Sequence, residues 1–272
     1  MASSRRLCAV LDVPRSSLAG APEDRPSRRT SLKEPLARRV GELIRRHPTF
    51  GYRRLWALLR FREGMLVNRK AVYRILKVMG WFCHLRKRTP RPRAKAMRSH
   101  IDTSNRRWAM DVTHIACGRD GWGHLAAVID CHDRELIGYE FALRGRAREA
   151  ERALEDACLY RLGTLRPKAQ APTVRSDNGL IFQSRRFRTA CRDYRLSQEF
   201  VTPYTPEQNG LIERFFRSLK EECAWQENFE TFNDAKQAVT RWIDWYNRER
   251  PHQALGYLSP RQYREKYDPK VA

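Results

Sequence analysis

Long apolar runs are missing from this sequence of 272 residues, in which no stretch approaches the roughly 20 consecutive apolar residues that a membrane-spanning helix needs. The apolar segment near the N-terminus is short and contains Asp12 and Pro14, which argues against a secretory signal. The seven cysteines are scattered singly, with no CxxC pair and no His-Cys cluster at zinc-ligand spacing. We therefore expect a cytoplasmic protein with no membrane partner, no disulfide framework and no structural zinc.

Acidic residues are scarce in the first third of the chain. Residues 1–100 contain 26 Lys and Arg against six Asp and Glu, whereas residues 101–272 contain 28 against 25. The formal net charge of +23 indicates a polyanionic partner, and nucleic acid is favoured over a membrane surface. Because the excess lies in the first third, we predict a DNA-binding unit followed by a nearly neutral catalytic unit.

Apolar residues at helical spacing predict three short helices in residues 32–83, as in an all-α helix-turn-helix domain. The first ends at His47-Pro48, and the third begins after Asn68 and ends at Gly80. Five basic side chains on the predicted solvent side are expected to contact DNA: Arg53, Arg54, Arg69, Lys70 and Arg74. Residues 1–31 are predicted to be a partial helix-turn-helix with a linker, and the Pro-rich basic residues 84–104 a second linker.

From residue 105 onward, β-branched and aromatic residues become frequent. Residues 107–117 and 123–143 predict three antiparallel strands. The elements predicted after them are a helix at 146–162, a strand at 173–176, a helix at 184–194, a strand at 198–201 and a long helix from Pro206 to about Cys223. The order βββαβαβα is that of a ribonuclease-H-like α/β domain. We assign this domain to residues 105–265 and a tail to 266–272.

Three acidic residues occupy unusual positions in this domain. Asp111 lies inside an apolar predicted strand, where its charge is costly unless a cation pairs with it. Asp177 ends the fourth predicted strand, and the following Asn178-Gly179 predicts a sharp turn that exposes the carboxylate. Glu213 lies about two turns into the last helix, whose start at Thr205-Pro206-Glu207-Gln208 fits a capping box. The three acids are candidate metal ligands.

Two basic residues share the helix face of Glu213. Arg217 and Lys220 follow it at helical spacing, opposite an apolar face. An acid that holds a metal ion beside a base that contacts the DNA backbone suits a metal–phosphate site. The alternative is a surface ion pair between Glu213 and Arg217.

Thirty-five residues separate Asp177 from Glu213, which together with Asp111 makes a D,D(35)E pattern. Further motifs occur in order along residues 32–265: PTFGYRR (48–54), VNRKAVYRI (67–75), WAMDVT (108–113), SDNG (176–179), PYTPEQNGLIE (203–213), and YNR (246–248) with PHQALGYLSP (251–260). In these motifs the chain resembles the retroviral-integrase superfamily, and more narrowly the second-reading-frame product of insertion-sequence transposases. It lacks the His-His-Cys-Cys zinc module of retroviral integrases, which favours a bacterial mobile element.

The resemblance implies the function and the roles of the site residues. Asp111, Asp177 and Glu213 are expected to bind two Mg²⁺ ions, with Mn²⁺ as a substitute, and Lys220 matches the basic residue seven positions after the family's catalytic Glu. The implied activity is cleavage and strand transfer at insertion-sequence ends, as in DNA transposition, integration and recombination. The implied partners are the terminal repeats, target DNA, further copies of the chain in a synaptic complex, and an upstream helix-turn-helix frame product. The implied location is the bacterial cytoplasm, at the nucleoid.

Two other functions remain open at this point. One is a non-catalytic DNA-binding regulator of transposition, and the other is a structure-selective nuclease of the same fold. Asp130 is a further candidate, either as an accessory residue or as a turn acid. His114 and His132 are expected to be structural more often than metal-binding. The aromatic residues of the C-terminal helix are expected to pack on the catalytic core in preference to DNA bases.

Overall fold

The computed structural model describes residue 10 and residues 34–83, 101–167, 171–202 and 205–267. The predictions made for most of 1–31 and for 84–100 lie outside these residues, as does the tail from 268 onward. Among the described residues, no helix combines the length and the apolar character needed to cross a bilayer.

The N-terminal part contains the three predicted helices: α1 (Glu34–Arg46), α2 (Tyr52–Ala57, continued by the π-helical turn Leu58–Arg62) and α3 (Arg69–Met79). The predicted signals at α3 are confirmed. The side chain of Asn68 accepts a hydrogen bond from the Lys70 amide at 2.9 Å, and Gly80 ends the helix in the left-handed conformation, with φ +68°. The three helices enclose an apolar core that includes the fully buried Leu55 and Val72.

Five strands form one mixed sheet: β1 (Arg107–Ala116), β2 (Trp122–Asp130), β3 (Leu136–Ala142), β4 (Thr173–Ser176) and β5 (Ser197–Phe200). Their order is β3-β2-β1-β4-β5. The first three strands pair antiparallel, whereas β4 runs parallel to both β1 and β5. This topology confirms the predicted ribonuclease-H-like α/β fold.

Helices cover both faces of the sheet: α4 (Ala147–Leu162), α5 (Leu180–Gln183), α6 (Arg185–Asp193), α7 (Gly210–Leu219), α8 (Phe232–Arg248) and α9 (Pro260–Tyr267). Side chains alternate between the two faces along β1. Trp108 and Met110 join a core with α4 and α6, whereas Ala109 and Ile115 join a core with α7 and α8. Asp111 has the parity of the second pair, so its carboxylate is on the face that α7 covers.

The last predicted helix differs from the expectation in its form. A 3₁₀ turn (Pro206–Asn209) precedes α7, and a π-helical turn (Lys220–Ala224), called here π-turn 220–224, follows it without a break. The predicted capping box is wrong. Thr205 Oγ1 donates to the Thr202 carbonyl at 2.6 Å, and Gln208 Oε1 accepts from the Thr202 amide at 2.9 Å. These local hydrogen bonds to Thr202 take the side chains that a capping box would need.

Candidate active site

Asp111 lies in the central strand of the sheet, opposite Ala127 of β2. Its Oδ1 accepts a hydrogen bond from the Val112 amide at 2.7 Å. Burial, and after it the negative charges of Asp177 and Glu213, raises the pKa of Asp111 to about 6. Asp177 and Glu213 therefore lie close enough to Asp111 for their negative charges to affect its pKa.

Asp177 follows β4 directly and is exposed, whereas the preceding Ser176 is fully buried. Its Oδ1 accepts from the Gly179 amide at 3.0 Å, which fixes the carboxylate at the sheet edge. A Cβ at position 179 would lie 2.9 Å from the same oxygen, so a side chain there would require the Asp177 carboxylate to move. The Asn178 side chain donates to the Val201 carbonyl at 2.9 Å and ties this turn to the end of β5.

Glu213 is exposed on the first turn of α7, whose opposite face is buried through Ile212 and Phe215. Arg217 is exposed and donates to Glu221 at 2.8 Å, one turn further along the chain. Lys220 is half-buried at the start of π-turn 220–224. Its positive charge lowers the pKa of Asp111, so it lies on the same side of the molecule as the three acids.

The three carboxylates suit hard divalent cations, because Mg²⁺ and Mn²⁺ prefer oxygen ligands. In the part of the chain that the structure describes, no three His, Cys, Asp or Glu side chains stand close enough together to form a ready-made metal cluster. Asp111 is nevertheless half-buried, and its pKa is raised first by burial and then by the charges of Asp177 and Glu213. A cation would stabilise the ionised carboxylate there, so the donor set fits the expected metal.

Four of the five basic residues predicted to bind DNA from the N-terminal helices are exposed: Arg53, Arg69, Lys70 and Arg74. Arg54 differs from the expectation of a solvent-facing side chain. Its Nη1 donates to Glu222 of π-turn 220–224 at 2.8 Å, and its guanidinium stacks 4.9 Å from the centre of the Phe50 ring. The ion pair with Glu222, 168 residues further along the chain, therefore places Arg54 in the contact between the N-terminal helices and the catalytic domain.

Asp130 is a turn acid in this structure. It is fully buried, and its carboxylate accepts from the backbone amides of Asn105 at 2.7 Å and His132 at 2.8 Å. The His132 ring nitrogen Nδ1 lies 2.8 Å from the Ile101 carbonyl. His114 of β1 packs edge-on against His124, its cross-strand partner on β2, with 4.6 Å between ring centres. These contacts account for the three residues as parts of the scaffold.

A basic stripe on α6 was not identified from the sequence. Arg185, Arg188 and Arg192 are exposed, and their spacing places them on one face of the helix, opposite the buried Phe187. Arg185 follows Asp177 by eight residues. The alternation of charged and apolar residues within α6 was the available signal, and only a helix was predicted from it.

Comparisons with known proteins agree with this architecture. An HTH-like domain model matches residues 31–89, and two integrase core domain models match residues 102–206 and 194–260. A 39.2 kDa protein of insertion element IS476 from Xanthomonas euvesicatoria is 30% identical over 268 residues, which are 97% of this chain and 73% of that protein. Transposase InsD of insertion element IS2 from Escherichia coli is 29% identical over 247 residues, covering 89% of this chain and 81% of the relative.

The fold is also found in the simian T-cell lymphotropic virus intasome, with a TM-score of 0.51, 19% identity, and coverage of 86% of this chain and 76% of the viral one. That likeness concerns the fold alone. The relation to the insertion-element proteins extends over nearly the whole sequence and includes both parts of the structure. The chain belongs to the family of insertion-element transposases, in which an HTH-like domain precedes an integrase core.

Proposed function

We propose that this chain is the catalytic transposase of an insertion element, which cleaves DNA at the element's ends and joins them to target DNA by metal-dependent phosphoryl transfer. One observation carries the proposal. Asp111 is half-buried in the central strand, and its pKa is raised by burial and by the two acids that the D,D(35)E spacing selects. Such an arrangement is unfavourable without a cation.

In this proposal Asp111, Asp177 and Glu213 hold two Mg²⁺ ions, or Mn²⁺ in their place. The bound ions supply Lewis acidity that activates a water or a DNA 3′-hydroxyl and stabilises the leaving oxygen. Asp111 and Asp177 are fixed by hydrogen bonds to the Val112 and Gly179 amides, so the site keeps its shape between steps. No protein nucleophile is needed, because water or the DNA end attacks directly.

The remaining residues bring DNA to these carboxylates. Lys220, whose positive charge lowers the pKa of Asp111, is suited to contact the backbone phosphate next to the scissile bond, with Arg217 one turn before it. The exposed residues of α2 and α3 are suited to bind the terminal repeats: Arg53, Arg69, Lys70 and Arg74. We further propose that several copies act together in a synaptic complex at the bacterial nucleoid, alone or with an upstream helix-turn-helix product.

The direct test uses the full chain and duplex DNA that carries the element's terminal repeats. With Mg²⁺ we expect nicked ends and joined products on a gel, and with EDTA we expect neither. A parallel preparation of the Asp177→Asn variant controls for contaminating nuclease. Specific binding of the ends without any cutting, over a range of Mg²⁺ and Mn²⁺ concentrations, would favour the non-catalytic regulator instead. Cutting without preference for the terminal repeats would favour a structure-selective nuclease.

The basic stripe on α6 provides a second test, because it adds a DNA surface to the catalytic part. Replacing both Arg185 and Arg188 by Gln should weaken binding of random-sequence duplex and lower the slope of log affinity against log salt by up to about 2. Fluorescence anisotropy at several salt concentrations measures this slope. The control is Gln in place of Arg152 of the neighbouring α4, which pairs with Glu140 of β3. An unchanged slope in the Arg185/Arg188 variant would remove α6 from the DNA path.

A further inference from the structure

The HTH-like domain packs against the C-terminal part of the catalytic domain through aromatic contacts. Trp245 of α8 stacks on His47, with 5.5 Å between ring centres, and lies 6.0 Å from Phe50. Tyr257 meets the ring of Trp56 edge-on at 5.3 Å. The family motifs PTFGYRR and PHQALGYLSP therefore lie on the two sides of one contact, although about 200 residues separate them.

An ion triad lies within this contact. Glu222 Oε1 accepts from Arg54 Nη1 at 2.8 Å and from Arg250 Nη2 at 2.7 Å, while its Oε2 accepts from Arg250 Nε at 2.7 Å. The side chains of Glu222 and Arg250 are 6% and 4% exposed, so this carboxylate is shielded from water. Arg250 also donates to Ser218 of α7 at 3.3 Å. One arginine comes from each domain, and both bind the same acid.

The position of Glu222 connects this triad to the candidate active site. It lies in π-turn 220–224, which continues α7 without a break, nine residues after Glu213 and two after Lys220. A buried carboxylate that loses a partner is strongly unfavourable, so the triad restrains the turn that bears it. The continuous helix made of α7 and π-turn 220–224 therefore contains the proposed metal ligand Glu213 near its start and the domain contact at Glu222 near its end.

We infer that Arg54 and Glu222 form a positioning pair, through which docking of the HTH-like domain holds Glu213 and Lys220 in the geometry for metal binding and catalysis. The inference rests on the proposed function and assigns Arg54 a different role from the DNA contact that the sequence predicts. Its guanidinium lies against the Phe50 ring and pairs with Glu222, and the side chain is 33% exposed. Burial, followed by the positive charge of Arg250, lowers the pKa of Arg54.

The test compares the full-length wild type with Arg54→Ala, Arg54→Lys and a control, Arg39→Ala. Arg39 also forms a two-bond ion pair, with Glu63 at 2.6 and 2.8 Å, but entirely within the HTH-like domain. Three quantities are measured: the affinity for terminal-repeat DNA without metal, the cleavage rate at saturating DNA, and the Mg²⁺ concentration that gives half the maximal rate. Binding of Mn²⁺ to the DNA-free protein, followed by electron paramagnetic resonance, is a fourth readout that does not depend on cleavage.

For Arg54→Ala we expect a cleavage rate about 10- to 100-fold lower at saturating DNA, as displaced catalytic groups produce. We also expect weaker Mg²⁺ and Mn²⁺ binding, with the affinity for DNA within about twofold of wild type. Arg54→Lys should recover part of both losses, and Arg39→Ala should change neither.

Three results would overturn the inference. Equal changes in Arg54→Ala and Arg39→Ala would mean that Arg54 only stabilises the fold. Weaker DNA binding with an intact saturating rate would make Arg54 a DNA contact. Unchanged Mn²⁺ binding in Arg54→Ala would disconnect the pair from the metal site. A wild type that never cleaves DNA would contradict the proposed function, whereas weaker Mn²⁺ binding in Arg54→Ala would still support the positioning role.

Discussion

Asn in place of Asp111 should abolish DNA cleavage and at the same time stabilise the metal-free protein by about 1–3 kcal/mol at neutral pH. The loss of activity follows from the removal of a proposed metal ligand, and should exceed the 10- to 100-fold loss that residues supporting a ligand usually cause. The gain in stability follows from the removal of a half-buried charge that Asp177 and Glu213 oppose. The two effects have opposite signs, which a residue needed only for packing would not produce.

The pH dependence of this stabilisation has a definite sign. The pKa of Asp111 rises from 3.8 to about 6 on folding, so the folded protein binds the proton more tightly than the unfolded chain does. The free energy of unfolding contributed by Asp111 therefore falls as the pH rises between these two values and is constant above about 7. The advantage of Asp111→Asn over wild type should be full at pH 7.5 and nearly absent at pH 4.

Urea denaturation in EDTA at both pH values measures this difference. Asp244→Asn is the control, because Asp244 is an exposed acid in an i,i+4 pair with Arg248. Mg²⁺ should then stabilise the wild type and leave Asp111→Asn unchanged, since a ligand stabilises only the state that binds it. A variant that is less stable than wild type at pH 7.5 in EDTA would show that Asp111 is a structural acid.

Local signals were enough to predict the scaffold of the candidate site. Asp111 was identifiable because an acid interrupts an apolar strand, and Asp177 because Asn-Gly follows a short strand. The ends of α3 were predictable because Asn68 and Gly80 act on the backbone next to them. In each case the deciding interaction spans only a few residues, so both interacting groups lie within one short segment of the sequence.

Each error has a physical cause as well. The 21 arginines of residues 1–100 look alike in the sequence, and only the tertiary structure shows that Arg54 meets a carboxylate 168 positions away. The capping box at Thr205 failed because Thr202, three residues earlier, competes for the same side chains. The short α5 was missed because four residues are too few to show a helical period.

A buried ion cluster at the β2–β3 turn was also invisible in the sequence, and it leads to the largest expected loss of stability. Arg161 Nη2 donates to both carboxylate oxygens of Asp133, at 3.0 and 2.9 Å, and to Glu135 Oε2 at 2.9 Å. All three side chains are at most 1% exposed. Arg264 of α9 binds the same Glu135 oxygen at 2.7 Å, so the cluster joins α4 and α9 to the sheet.

Met in place of Arg161 should lower the free energy of unfolding by about 3–5 kcal/mol, because the buried Asp133 and Glu135 would both lose the guanidinium that they share. Arg152→Met, on the same helix, removes an exposed pair with Glu140 and should lower it by less than about 1 kcal/mol. Both changes are measured by urea denaturation at neutral pH. Adding Glu135→Gln to Arg161→Met removes one of the two buried negative charges and should recover part of the lost stability. If the double variant is as unstable as the sum of its parts, the loss reflects packing of the Arg161 side chain, and the charges in this turn are independent of one another.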